Sequence, residues 1–304
     1  MKKKLGSLGI TALMMLIPLL AIIGLSLAYS EVGMAKDIGI QEPILQPVDY
    51  SLVPQEVMDK AAARAAALSK MGEQRVKAFA DELLASYVEA SRNDVVIIFN
   101  SGGLGWNLTE ETPGWASILD GIQTQLENLG YNTIVMNYRR TGSGFTGVIG
   151  EVIEALRRYP NKIDDLVWRV EFLTENLPEL KVIVAGESTG TVISDKAMAR
   201  LQDQPHVYSI QTGMPFWHKP SVNDDNHTLL INDNGLCIDA FSEGNVPTML
   251  WTTVKGWLGL APADANPGNI LSWLRAPGHD YSWQYPGVYD RIVEFIGKNF
   301  GERG

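Results

Sequence analysis

The chain has a single cysteine, Cys237, and only four histidines among its 304 residues. One thiol cannot close an internal disulfide, and no CxxC pair is present to bind a metal or run redox chemistry. The histidines form no HxxxH pattern, so the sequence offers no metal site and implies no metal or organic cofactor. Positive charge is also scarce: 25 Lys and Arg stand against 35 Asp and Glu, a formal net charge of -10. A chain this acidic is repelled by phosphate backbones, which argues against nucleic acid as a partner.

Charge is missing altogether from Leu5 to Tyr29, directly after Lys2, Lys3 and Lys4. That run exceeds the roughly 20 apolar residues a membrane-crossing helix needs. Its length favours an uncleaved signal anchor over residues 1–30. A secretory signal peptide is the alternative, with Ala28-Tyr29-Ser30 as its cleavage site. In either case the lysines stay inside and the domain lies on the extracytoplasmic side, anchored or secreted.

What remains has the composition of a folded protein, 45% hydrophobic and 20% charged. Residues 31–53, with Pro43 and Pro47 and no sustained period, read as a linker. Residues 54–92 read as one long amphipathic helix opened by Pro54, with Val76, Phe79, Leu83, Tyr87 and Val88 on one stripe. Residues 93–304 then alternate strand, loop and helix. Continuous β-branched runs at Val95–Asn100, Thr133–Tyr138, Val182–Ala185, Val207–Thr212 and Thr248–Val254 suit strands buried on both faces. Helical patterns fall around 115–129, 148–177, 190–202 and 287–300. Such alternation predicts an α/β fold, a mostly parallel sheet with helices on both faces. Residues 215–246 read as an insertion between two strands, containing a hairpin with an Asn-Gly turn in LLIN-DNG-LCID.

Gly186-Glu187-Ser188-Thr189-Gly190 matches G-x-S-x-G, and it follows the strand KVIVA and opens the helix TVISDKAMARL without a gap. A sharp strand-to-helix turn exposes the serine hydroxyl at a helix N-terminus, where developing negative charge is favoured. Over about residues 95–300 the chain resembles the α/β-hydrolase superfamily. That resemblance implies a serine hydrolase, esterase-, lipase- or thioesterase-like, with Ser188 as nucleophile and a small-molecule acyl substrate. It implies an oxyanion hole from the N–H of Thr189 and one from Gly103 or Leu104, in the Ser101–Gly105 loop after VVIIFN. The family order of serine, acid, histidine points to His279 as base, since His206 and His218 come too early and His227 sits in the insertion. The acid expected after VPTMLWTTV is Asp264, with Asp239 and Glu243 as substitutes. The family usually has two strands before the one assigned to VVIIFN; here a helix takes that place, which predicts a shortened sheet or first strands supplied by residues 31–53. Trp106, Trp217 and Trp283 lie in loops that could line an acyl pocket.

Two other readings compete. Gly142-Ser143-Gly144-Phe145-Thr146-Gly147 matches G-x-G-x-x-G, with Arg139-Arg140 beside it, as in a nicotinamide-dependent reductase. Three residues separate those glycines from their strand, and Asp164 and Asp165, about 20 residues on, fall in a helical stretch. A non-catalytic binding domain of hydrolase fold is the other, and it would keep the architecture with a broken triad.

Overall fold

The computed structural model describes residues 49–67, 73–103, 105, 112–138, 151, 153–155, 157–221, 226–260, 268–271 and 274–302. The N-terminal run and the 142–147 loop lie outside these. Among the described residues no helix is long and apolar enough to cross a membrane.

Five strands form one parallel sheet: β1 (Val95–Asn100), β2 (Thr133–Asn137), β3 (Lys181–Glu187), β4 (Val207–Thr212) and β5 (Thr228–Ile231), in the order β2-β1-β3-β4-β5. Period-two alternation divides each strand between two cores. Val95, Ile97 and Phe99 pack with α3 (Pro113–Asn128) and α7 (Pro286–Asn299) on one face. Val96 and Ile98 pack with α4 (Pro160–Asn176) and α5 (Thr189–Arg200) on the other. This is the α/β architecture the resemblance implies, mostly parallel and covered on both faces.

The segment read as one helix over 54–92 contains two, α1 (Gln55–Ala67) and α2 (Glu73–Ala90). They share a third core with Phe172 of α4. Arg169 of α4 binds Glu82 of α2 and Asp165, and Arg64 of α1 binds Glu171 and Glu175. No strand precedes Val95 among the described residues, and most of the 31–53 stretch expected to supply one lies outside them. The helix expected over 148–177 is interrupted before Pro160, where Arg158 and Tyr159 both take positive φ.

Two assignments change. VPTMLWTTV is not a strand but helix α6 (Val246–Trp257), with Asn245 capping the Thr248 N–H and Pro247 in the first turn. The strand beside β4 is instead β5, from inside the expected insertion, paired parallel to β4 from Ser209–Thr228 to Thr212–Ile231. The hairpin expected there reduces to one antiparallel bridge, Asp233–Ile238. A two-stranded antiparallel pair, β6 (Asn269–Leu271) and β7 (Leu274–Arg275), precedes the histidine loop.

Candidate active site

The serine turn is fixed by its own backbone. Ser188 sits between β3 and α5 at φ 48° and ψ -120°, a region that costs a non-glycine residue about 1–3 kcal/mol. Its N–H donates to the Thr212 carbonyl at the end of β4, and its carbonyl accepts from the Thr191 N–H, both at 2.9 Å. The flanking glycines are needed for close approach. A Cβ at Gly190 would lie 2.2 Å from the Asn100 carbonyl oxygen, and one at Gly186 would lie 2.8 Å from Ser194 Oγ. Asn100, at the end of β1, donates through Nδ2 to the Gly190 carbonyl at 2.9 Å.

The two neighbours of the serine grip the loop after β1. Glu187 Oε2 accepts the Gly102 N–H at 3.0 Å, and Thr189 Oγ1 donates to the Gly103 carbonyl at 2.7 Å. Gly103 takes φ 55°, a left-handed conformation suited to glycine, and a Cβ at Gly102 would lie 3.1 Å from that of Ser188. Gly102 is thus packed on the serine with its N–H engaged. Thr189 follows Ser188 and is bonded to Gly103, while Leu104 is outside the described residues.

His279 completes the arrangement from the loop after β7. Its Nε2 is 3.0 Å from Ser188 Oγ and its Nδ1 is 2.8 Å from Asp239 Oδ2. All three residues are buried. Gly213, just past β4 at φ 67°, makes room for the ring, because a Cβ there would lie 2.7 Å from His279 Cε1. Asn234 braces both loops: Nδ2 donates to the Gly278 and Asp280 carbonyls, and Oδ1 accepts the Leu236 and Cys237 N–H groups.

The carboxylate on Nδ1 is Asp239, not Asp264. Asp264 lies outside the described residues, and the place it was expected to fill is taken. The expectation ran from the wrong element: α6 had been read as the strand, whereas the loop beyond the true edge strand β5 delivers Asp239. Besides His279, Asp239 accepts the Phe241 N–H at 2.8 Å, the Ser242 N–H at 3.2 Å, the Ser242 hydroxyl at 2.8 Å and the Tyr281 hydroxyl at 2.7 Å. Burial pushes this carboxyl up, but the hydrogen bond and charge of His279, with the Tyr281 and Ser242 hydroxyls, outweigh burial and hold it below its ordinary range. Burial and the Asp239 charge raise the Tyr281 phenol well above its usual value, which keeps it a donor. Glu243 only donates its N–H to the Asp239 carbonyl.

The other histidines have separate partners: His206 the Pro178 carbonyl, His227 the Val207 carbonyl and the Tyr208 ring, His218 the buried Asp195 carboxylate. Trp217 stands 5.1 Å from the Phe241 ring, and Phe241 stands 4.8 Å from the His279 ring. Trp283 is instead packed on Gly121 and Tyr289, and Trp106 is outside the described residues. No group of His, Cys, Asp and Glu that could hold a metal occurs among the described residues. Sequence reasoning assigned no site role to Glu187, an unspecified position of G-x-S-x-G, or to Asn234, Gly213, Ser242 and Tyr281.

No family model matches the chain, and no curated protein does. Among solved structures, it is similar to a Trichoderma reesei cutinase in complex with a phosphonate inhibitor, at 17% identity and a TM-score of 0.42, over 83% of this chain and 94% of that one. It is also similar to a cutinase-like protein from Cryptococcus sp., at 15% identity and a TM-score of 0.35, over 69% of this chain and 97% of that one.

Proposed function

We propose that the chain is a serine hydrolase that cleaves an ester or related acyl bond through an acyl-enzyme. The observation that carries this reading is the continuous contact Ser188 Oγ–His279 Nε2–Asp239, at 3.0 and 2.8 Å, built on a strained strand-to-helix turn. Asp239 accepts from Nδ1–H, so Nε2 is left free to take the serine proton. Ser188 Oγ attacks the acyl carbon as His279 takes that proton. The oxyanion settles against the N–H of Thr189 and that of Gly103 or Leu104, each donor contributing about 3–4 kcal/mol. His279 returns the proton to the departing oxygen. Water, activated by the same imidazole, then splits the acyl-enzyme and restores the serine.

The apolar run from Leu5 to Tyr29 holds the domain at a membrane, on its extracytoplasmic side. A fluorophosphonate probe tests the chemistry: wild-type protein is expected to label, and Ser188→Ala and His279→Ala are expected not to. Folded wild-type protein that stays unlabelled sinks the reading and favours a binding domain.

A further inference from the structure

Helix α6 has two apolar faces, and among the described residues one is packed in the fold while the other is largely exposed. Met249 is buried with Ala240, Phe241 and Ala276, so that face clamps the acid and histidine loops. Thr253 Oγ1, also buried, accepts the Arg275 N–H at 3.0 Å. About a third of the way round the helix, Val246, Leu250, Trp251, Val254, Trp257 and Leu258 are exposed, Trp251 at 61% and Leu258 at 66%. Between Val246 and Leu260 there is no carboxylate, in a chain with 35 of them. The one charge is Lys255, whose Nζ lies 5.0 Å from the centre of the Trp251 ring. Beside the start of α6, a Cβ at Gly244 would lie 3.0 Å from the Phe216 ring, and exposed Phe216 and Trp217 pack on Phe241 beside His279.

A cluster of exposed apolar side chains along one helix face marks an interaction site. Its chemistry selects the occupant. Tryptophan with a flanking lysine is what a lipid interface prefers, and the missing carboxylates remove repulsion from headgroup phosphates. Phe216 and Trp217 lead through Phe241 to the imidazole, where an acyl group is handled in the serine hydrolase reading on which this inference rests. The same chain carries 48 residues ahead of Asp49, among them the uncharged run Leu5–Tyr29. We infer that α6, with Leu258, Phe216 and Trp217, lies on a lipid surface, so that an acyl ester passes from that surface directly to Ser188.

The test compares full-length wild type with Leu250→Ser/Trp251→Ser/Leu258→Ser. Each is given a short-chain nitrophenyl ester as dissolved monomer and a long-chain ester dispersed in phosphatidylcholine vesicles. Both proteins keep residues 1–48, so tethering through the N-terminus is common to both. The variant is expected to keep monomer turnover within about twofold and to lose at least tenfold on vesicles. Quenching of tryptophan emission by brominated phosphatidylcholine is expected to fall with it. Equal vesicle turnover and equal quenching overturn the inference. A dimer that the substitutions dissolve in light scattering overturns it too, giving the face to a second copy. If both substrates are lost together, Leu258→Ser alone, past the last helical turn, must still separate them or the inference fails. Wild type inactive on the monomeric ester removes the hydrolase reading, and quenching alone then decides the docking.

Discussion

Ser188 sits on a turn written in five consecutive residues, whereas Asp239 and His279 come from loops 40 residues apart that meet only in the folded protein. The serine turn depends on two glycines, a strained φ and backbone contacts to the ends of β1 and β4. The acid–base arm depends on Asn234, Tyr281, Ser242 and a gap left by Gly213. The first half is therefore a property of backbone geometry, intolerant of any added atom. The second is a network of hydrogen bonds, which loses function in steps as partners are removed.

That contrast can be broken most severely at the nucleophile. Ser188→Ala is expected to lower kcat about 10⁶-fold, and adding His279→Ala should cost little more, because the two act as one unit; single and double variants in a stopped-flow ester assay check this. Asp239→Asn comes next, with a loss of about 10⁴-fold in kcat while the protein stays folded. Asp264→Asn should leave kcat within about twofold, and a large loss there would return the acid to Asp264. Glu187→Gln weakens the grip on Gly102 and is expected to lower kcat about tenfold with KM nearly unchanged, since a displaced amide is felt mainly in the transition state.

On stability, Tyr281→Phe is expected to cost about 1–2 kcal/mol in urea unfolding, from one lost hydrogen bond to a charged partner. Asp239 also sets a dependence on pH. Its carboxyl is lower in the folded protein than in the unfolded chain, so it contributes stability above the ordinary aspartate range, near 3.9. That contribution is lost as pH falls from there through the depressed folded value. Urea midpoints measured across this acid window should show a step in wild type that is shallower in Tyr281→Phe and absent in Asp239→Asn.

The serine half was legible because its determinants are contiguous, and because strands buried on both faces leave unbroken β-branched runs such as VVIIFN and VYSIQT. The acid half was not. TLLI of β5 is four residues long and is followed by DNG, which mimics a hairpin. TMLWTTV is rich in β-branched and aromatic residues, and helix α6 leaves one of its apolar faces exposed, so no clean helical stripe marks it. The helix signal lay in Asn245 and Pro247, a cap and a first-turn proline. A strand read over TMLWTTV places the acid after it, beyond Asp239. Even from β5, choosing between Asp233 and Asp239 needs the tertiary contact with His279.

In the proposed hydrolase reaction, the five donors on Asp239 bear on the timing of catalysis as well as its geometry. Both carboxylate oxygens are tied, Oδ1 to two backbone amides and Oδ2 to His279, Tyr281 and Ser242. The group cannot rotate when a proton moves between Ser188 and His279. The dipoles facing the imidazole are therefore set once, as the chain folds, and the proposed proton transfer would need no local reorganisation to follow the charge.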